Sequence, residues 1–179
     1  MPEVSEPATP PPATTTKARF KGFARYHFTY SFLFLVFFAL VLVVATLPSL
    51  PVELLAVPCV ISMLLYFPLG MLAAKRRSWT VPTLRGACLA ILQPCGISVL
   101  WVLLFPLIDG AFQIYAFLSV LFAAPSSSFF IFLLVSKPSD LLSTMYLFGA
   151  ALLAAVLPPL LFALGSFFQA KRQIFSRSG

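Results

Sequence analysis

Residues 111–135 read AFQIYAFLSVLFAAPSSSFFIFLLV. No charge interrupts this stretch, and a helix needs only about 20 apolar residues to cover roughly 30 Å of hydrocarbon. Yet Pro125-Ser126-Ser127-Ser128 breaks it. Proline removes an amide donor from the helical ladder, and serine hydroxyls compete for backbone carbonyls. Two readings follow. In the simpler one, 111–135 is a single helix kinked at Pro125, with the serines bonded back to the preceding turn. In the other it is a re-entrant hairpin. Its arms of fourteen and seven residues are too short to cross. Its turn must then be buried in protein or line a wet cavity.

The composition on either side makes lipid the natural solvent. Of the 179 residues, 60% are apolar and 9% charged, against about 25% charged in ordinary soluble domains. Four further apolar stretches accompany 111–135. They run at about 28–47, 53–74, 86–108 and 141–168. The fold class expected is therefore all-α, a polytopic transmembrane helix bundle of five hydrophobic segments, one of them a candidate re-entrant hairpin. The segment 28–47 is too long an apolar run for a cleaved leader, whose core is usually about 7–15 residues. It reads as a retained first span.

Four regions divide the chain. Residues 1–16 hold five prolines, five Ser or Thr and no Lys or Arg, a composition that predicts a disordered tail. Residues 17–27, KARFKGFARYH, alternate basic and aromatic groups. They suit a membrane interface, with rings in the headgroup layer and cations beside phosphates. Residues 28–168 form the bundle, and 169–179 a basic C-terminal tail.

Charge placement predicts orientation. Lys17, Arg19, Lys21 and Arg25 precede the first span; Lys75, Arg76, Arg77 and Arg85 follow the second. The positive-inside rule places both groups, and the N-terminus, in the cytoplasm of a multi-pass protein. With five crossings the two sides carry nine and three of the twelve Lys and Arg. With the hairpin they carry eleven and one. These residues imply contact with the bilayer and with anionic headgroups, above all Lys17, Arg19, Lys21, Arg25, Lys75, Arg76 and Arg77. They flank spans instead of forming a stripe, so nucleic acid is not an expected partner.

Candidate chemistry is sparse. Gln93-Pro94-Cys95-Gly96 interrupts the third span as Pro125–Ser128 interrupts the fourth stretch. Two broken helices meeting at mid-depth would resemble the way transporters build a polar site. Gln93, Ser126, Ser127 and Ser128 are the candidate substrate-binding residues on that reading. The plainer reading is two proline kinks with small packing residues. Glu53 and Asp109 sit at span ends, where capping and turn roles suffice. His27 is the sole histidine and reads as an interfacial side chain. One His without nearby ligands predicts no metal site. Cys59, Cys88 and Cys95 lie inside apolar stretches without a CxxC, which predicts packing roles. No catalytic motif is present, so neither an enzyme nor a cofactor is expected. Small residues four apart, among them Gly70/Ala74 and Ala150/Ala154, allow close helix approach. The Ala150/Ala154 face could also receive a partner protein.

Two functions remain open from the sequence. One is a small transport-related subunit that binds or passes a solute. The other is a non-catalytic scaffold, assembly or regulatory subunit of a larger membrane complex.

Overall fold

The computed structural model describes residues 16–45, 56–77, 88–104, 107, 110, 112–135 and 144–176. Seven α-helices and one π-helical turn account for nearly all of them, with no strand among the described residues. Helix α1 is Thr16–Ala45, α2 Ala56–Leu64 and α3 Tyr66–Arg77. The π turn Cys88–Leu92 leads into α4, Gln93–Leu104. Helix α5 is Phe112–Phe122, α6 Ala124–Val135 and α7 Thr144–Phe175. Glu53 and Asp109, expected in capping and turn roles, and most of the N-terminal tail lie outside the described residues.

Helix α1 begins at Thr16 and runs unbroken through the basic-aromatic segment into the apolar one. Helices α2 and α3 are one helix with a local disturbance. The Leu65 amide bonds to the Ile61 carbonyl and the Leu69 amide to the Leu65 carbonyl, while Pro68 contributes no donor. The π turn falls just before Pro94, another missing donor. Helix α7 carries Pro158 and Pro159 inside its length, and both are fully buried.

Two helices among the described residues are long and apolar enough to cross a membrane. They are Val57–Arg76, with a mean hydropathy of 2.0, and Met145–Gln173, at 2.3. Only 39% and 33% of their apolar windows are buried inside the chain. A core helix of a water-soluble protein would be mostly covered. Here the larger part of each apolar surface faces outward, as in Phe148 and Phe168. This points to membrane insertion.

Helix directions follow from the cross-links. Tyr30 donates to the Ser62 carbonyl and His27 meets Tyr66, so α1 runs antiparallel to α2–α3. Ser126 donates to the Ala154 carbonyl, and Tyr146 donates to the Leu133 carbonyl. Helix α6 is thus antiparallel to α7. Ile91 clusters with Phe162 and Ala163, and Val99 with Ala150 and Ala154. That makes α4 antiparallel to α7 and hence parallel to α6. Helix α5 starts a short connection after α4. Its far end, Ser119 and Phe122, returns to Pro94 and Ile97. It is therefore antiparallel to α4.

The chain accordingly reverses between α5 and α6, and Ala123 is the only non-helical residue at the reversal. The single helix kinked at Pro125, the simpler of the two readings, is not what forms. Pro125 offers no amide to the Leu121 carbonyl. The Ser127 hydroxyl bonds to the Ala123 carbonyl at 3.0 Å and reaches the Val120 carbonyl at 3.2 Å. In a straight helix a carbonyl seven residues back lies about 10 Å away along the axis, so this second bond requires the bend. The two arms pack on α4 and touch each other little. At the preceding corner Gly110 has φ 68°, a conformation glycine adopts without strain.

Candidate functional site

Several buried polar side chains gather where α1, α3, α4 and α6 meet. On α1, His27, Tyr30 and Ser31 are spaced by three and four residues and so share one face. That face turns inward: His27 and Ser31 are fully buried. His27 was expected at the membrane interface as an amphipathic edge residue. The structure instead encloses it completely, because Tyr66 of α3 supplies a partner. Tyr66 is also wholly buried, and its Oη lies 2.9 Å from His27 Nδ1. The two rings stack at 5.9 Å, and Tyr30 meets Tyr66 edge-on at 5.0 Å. Tyr30 then donates to the Ser62 carbonyl at 2.7 Å, and the Ser62 hydroxyl to the Cys59 carbonyl at 2.7 Å.

Two atoms in this cluster have no hydrogen-bond partner: His27 Nε2 and Ser31 Oγ. The imidazole lies close to the backbone of Phe122, and Ser31 lies beside Tyr66. If Tyr66 donates to Nδ1, the proton of the neutral imidazole sits on Nε2. Buried polar atoms are nearly always satisfied, so these two mark the least settled point of the core.

The candidate binding residues divide. Cys95 and Ser126 lie within reach of each other, so the breaks in the third and fourth stretches do meet. They meet through Cys95, however, and not through Gln93. Gln93 lies on the exposed face of its helix, two positions and about 200° away from Cys95. Ser126 and Ser127 are buried, and their hydroxyls donate to the carbonyls of Ala154, Ala123 and Val120. Ser128 is half-buried. Ser98 donates to the Cys95 carbonyl at 2.8 Å.

Beside the cluster an open, mainly apolar cleft of about 190 Å³ is lined by Phe28, Pro94, Ile97, Ser119 and Phe122. The Ala150/Ala154 face, open to a partner in the sequence, is covered within the chain by α6. Of the basic residues expected at headgroups, Lys21, Arg25, Lys75 and Arg76 are exposed. The side chains of Lys17, Arg19 and Arg77 are not among those described. Among the described residues, no group of three or more His, Cys, Asp or Glu is placed to hold a metal.

Sequence reading missed His27, Ser31 and Tyr66. The signal was available in part: three polar residues at positions 27, 30 and 31 form one stripe leading into an apolar helix. Their partner 39 residues away was not legible. A scan against protein-family models and searches of curated proteins and of solved structures find no match to this chain.

Proposed function

We propose that the chain is a multi-pass membrane protein with four crossings and one re-entrant hairpin, acting as a non-catalytic scaffold, assembly or regulatory subunit. The crossings are α1, α2–α3, the π turn with α4, and α7. The hairpin is α5–α6, whose arms of eleven and twelve residues extend about 17 and 18 Å and cannot span. The reversal at Ala123 supports this arrangement. It also gathers both tails and the 75–85 loop on one side, with eleven of the twelve Lys and Arg, which orients the N-terminus to the cytoplasm. A cysteine introduced as Ser178→Cys tests it. The reading predicts labelling by an impermeant maleimide only after cells are opened. Labelling of intact cells would exclude it.

The scaffold reading is carried by one observation: Ser126 and Ser127, the buried hydroxyls of the candidate site, bond to this chain's own carbonyls, and Gln93 faces away from them. Groups engaged in this way hold the turn together and are not presented to a solute. Purification of the full chain from its native membrane in mild detergent should bring a stoichiometric membrane-protein partner. Isolation of the chain alone, with a bound small solute, would favour the other reading.

That second reading, a solute-binding or permeating subunit, draws support from His27 Nε2 and Ser31 Oγ. They are two unsatisfied polar atoms at the meeting point of four helices. On that reading the residues that touch the solute are His27, Ser31, Cys95 and Ser126.

A further inference from the structure

A second polar recess lies at the edge of the bundle, between α1 and the end of α3. Arg25, Tyr26, Thr29 and Arg76 line it, and its volume is about 340 Å³. Arg25 and Thr29 are one helical turn apart and so stand on the same face. Arg76 comes from a helix running the opposite way. Tyr26 is anchored from behind, its ring 6.4 Å from that of Phe162, so the hydroxyl-bearing wall of the recess has a fixed support.

Among the described residues no carboxylate faces these guanidiniums. The five carboxylate side chains of the protein are Glu3, Glu6, Glu53, Asp109 and Asp140, and none falls among the described residues. Two arginines with two hydroxyl-bearing neighbours as the lining make a recess that favours an anion. Guanidinium is planar and presents paired donors, which match the oxygens of a phosphate better than a carboxylate-free ammonium cluster does. The size accommodates a phosphate group with its substituent and exceeds what a single water or halide needs.

Its depth on the protein narrows the choice. Arg25 precedes the first apolar stretch by three residues, and Arg76 closes the span Val57–Arg76. Both sit where a crossing helix passes through the headgroup layer, the plane of lipid phosphates.

We propose that the Arg25–Arg76 recess binds a phosphate group, supplied by an anionic lipid headgroup or by a soluble phosphate. The inference rests on the membrane-embedded reading above but not on the scaffold role. Lys21 and Lys75 are exposed cations beside the same elements, yet they do not line the recess. They provide the charge-matched control.

The full chain is reconstituted in nanodiscs of phosphatidylcholine with or without phosphatidylglycerol, and retained lipid is counted by native mass spectrometry. In parallel, inorganic phosphate is titrated against detergent-solubilised protein and thermal unfolding is followed. If the lipid is the source, Arg25→Gln with Arg76→Gln should lower phosphatidylglycerol retention about tenfold, and Lys21→Gln with Lys75→Gln should change it less than twofold. If soluble phosphate is the source, inorganic phosphate should raise the unfolding temperature of the wild type and of the lysine variant but not of the arginine variant. Arg25→Lys with Arg76→Lys keeps the charge without the paired donors and should fall between. Equal losses in the arginine and lysine variants would mean diffuse surface attraction and overturn the recess. So would binding of neither probe by the wild type. Normal insertion of every variant into the discs leaves the membrane reading standing whichever way the recess is decided.

Discussion

The α3–α7 seam and the His27–Tyr66 cluster hold helices together by opposite means. Along the seam the contact is backbone against backbone. A Cβ on Gly70 would overlap the carbonyl oxygen of Phe162, and one on Gly165 would overlap that of Phe67. Ala73, Ala74, Ala163 and Ala170 continue the small-residue surface on both helices. Ser166 ties it by donating to the Gly70 and Phe162 carbonyls at 3.1 and 2.9 Å. The cluster instead fills its space with large side chains and fixes them through a few polar contacts. In lipid the hydrophobic effect does not draw helices together, because acyl chains are as apolar as leucine. What remains is close packing on one side of the bundle and hydrogen bonding on the other. The seam should therefore tolerate no added atom, while the cluster should tolerate changes of chemistry if shape and pairing are kept.

The largest effect is expected at the seam. Gly70→Ala and Gly165→Ala each force two backbones apart and should each cost about 3 kcal/mol. Unfolding in mixed SDS micelles, followed by protease resistance, measures this. A loss below about 0.5 kcal/mol for both would mean that the helices do not approach as described.

The cluster should respond less and non-additively. Tyr66→Phe removes the Oη partner of His27 and leaves a buried imidazole unsatisfied on both nitrogens, at about 1–3 kcal/mol. Adding His27→Leu removes the orphaned groups as well. The double variant should be no less stable than Tyr66→Phe alone. If the two losses simply add, the bond between them is not what secures the contact.

At the hairpin turn, Ser126→Ala deletes the cross-helix bond to Ala154 and should cost about 0.6–1.5 kcal/mol, the range of interhelical hydrogen bonds in membranes. Ser127→Ala deletes bonds within the turn itself. The turn should then loosen, read as faster amide exchange at residues 120–127, more than global stability falls. The smallest change is expected at Gln93→Ala. An exposed residue away from caps and networks stays within about 0.5 kcal/mol. A larger loss would place Gln93 in a contact that its exposure does not reveal.

Much of the architecture was legible in the amino-acid sequence. Scarcity of charge and the lengths of the apolar runs gave helices and their approximate limits, because hydrogen-bond satisfaction in hydrocarbon leaves the backbone few alternatives. The same local rules marked the interruptions at Pro94 and Pro125, where a missing amide must disturb any helix. Gly70 and Ala74 were readable as a close-packing pair for a similar reason: small side chains have one obvious use between helices.

Returning to residues 111–135, the sequence determined that the segment is helical and disturbed next to Pro125; the break itself falls at Ala123, and Pro125–Ser128 belong to the helix that follows. The sequence could not determine the direction of the second arm. A kinked helix and a reversal violate the ladder at the same carbonyls. The choice belongs to what receives the arms, namely α4 between them and Ala154 and Tyr146 on α7, all distant in the chain. The polar center followed the same division. Residues 27, 30 and 31 defined a stripe, but only the approach of Tyr66 turned an edge histidine into a buried one. Burial of a polar group is decided by its partner, and partners separated by 39 or 28 residues are brought together by packing, not by local sequence.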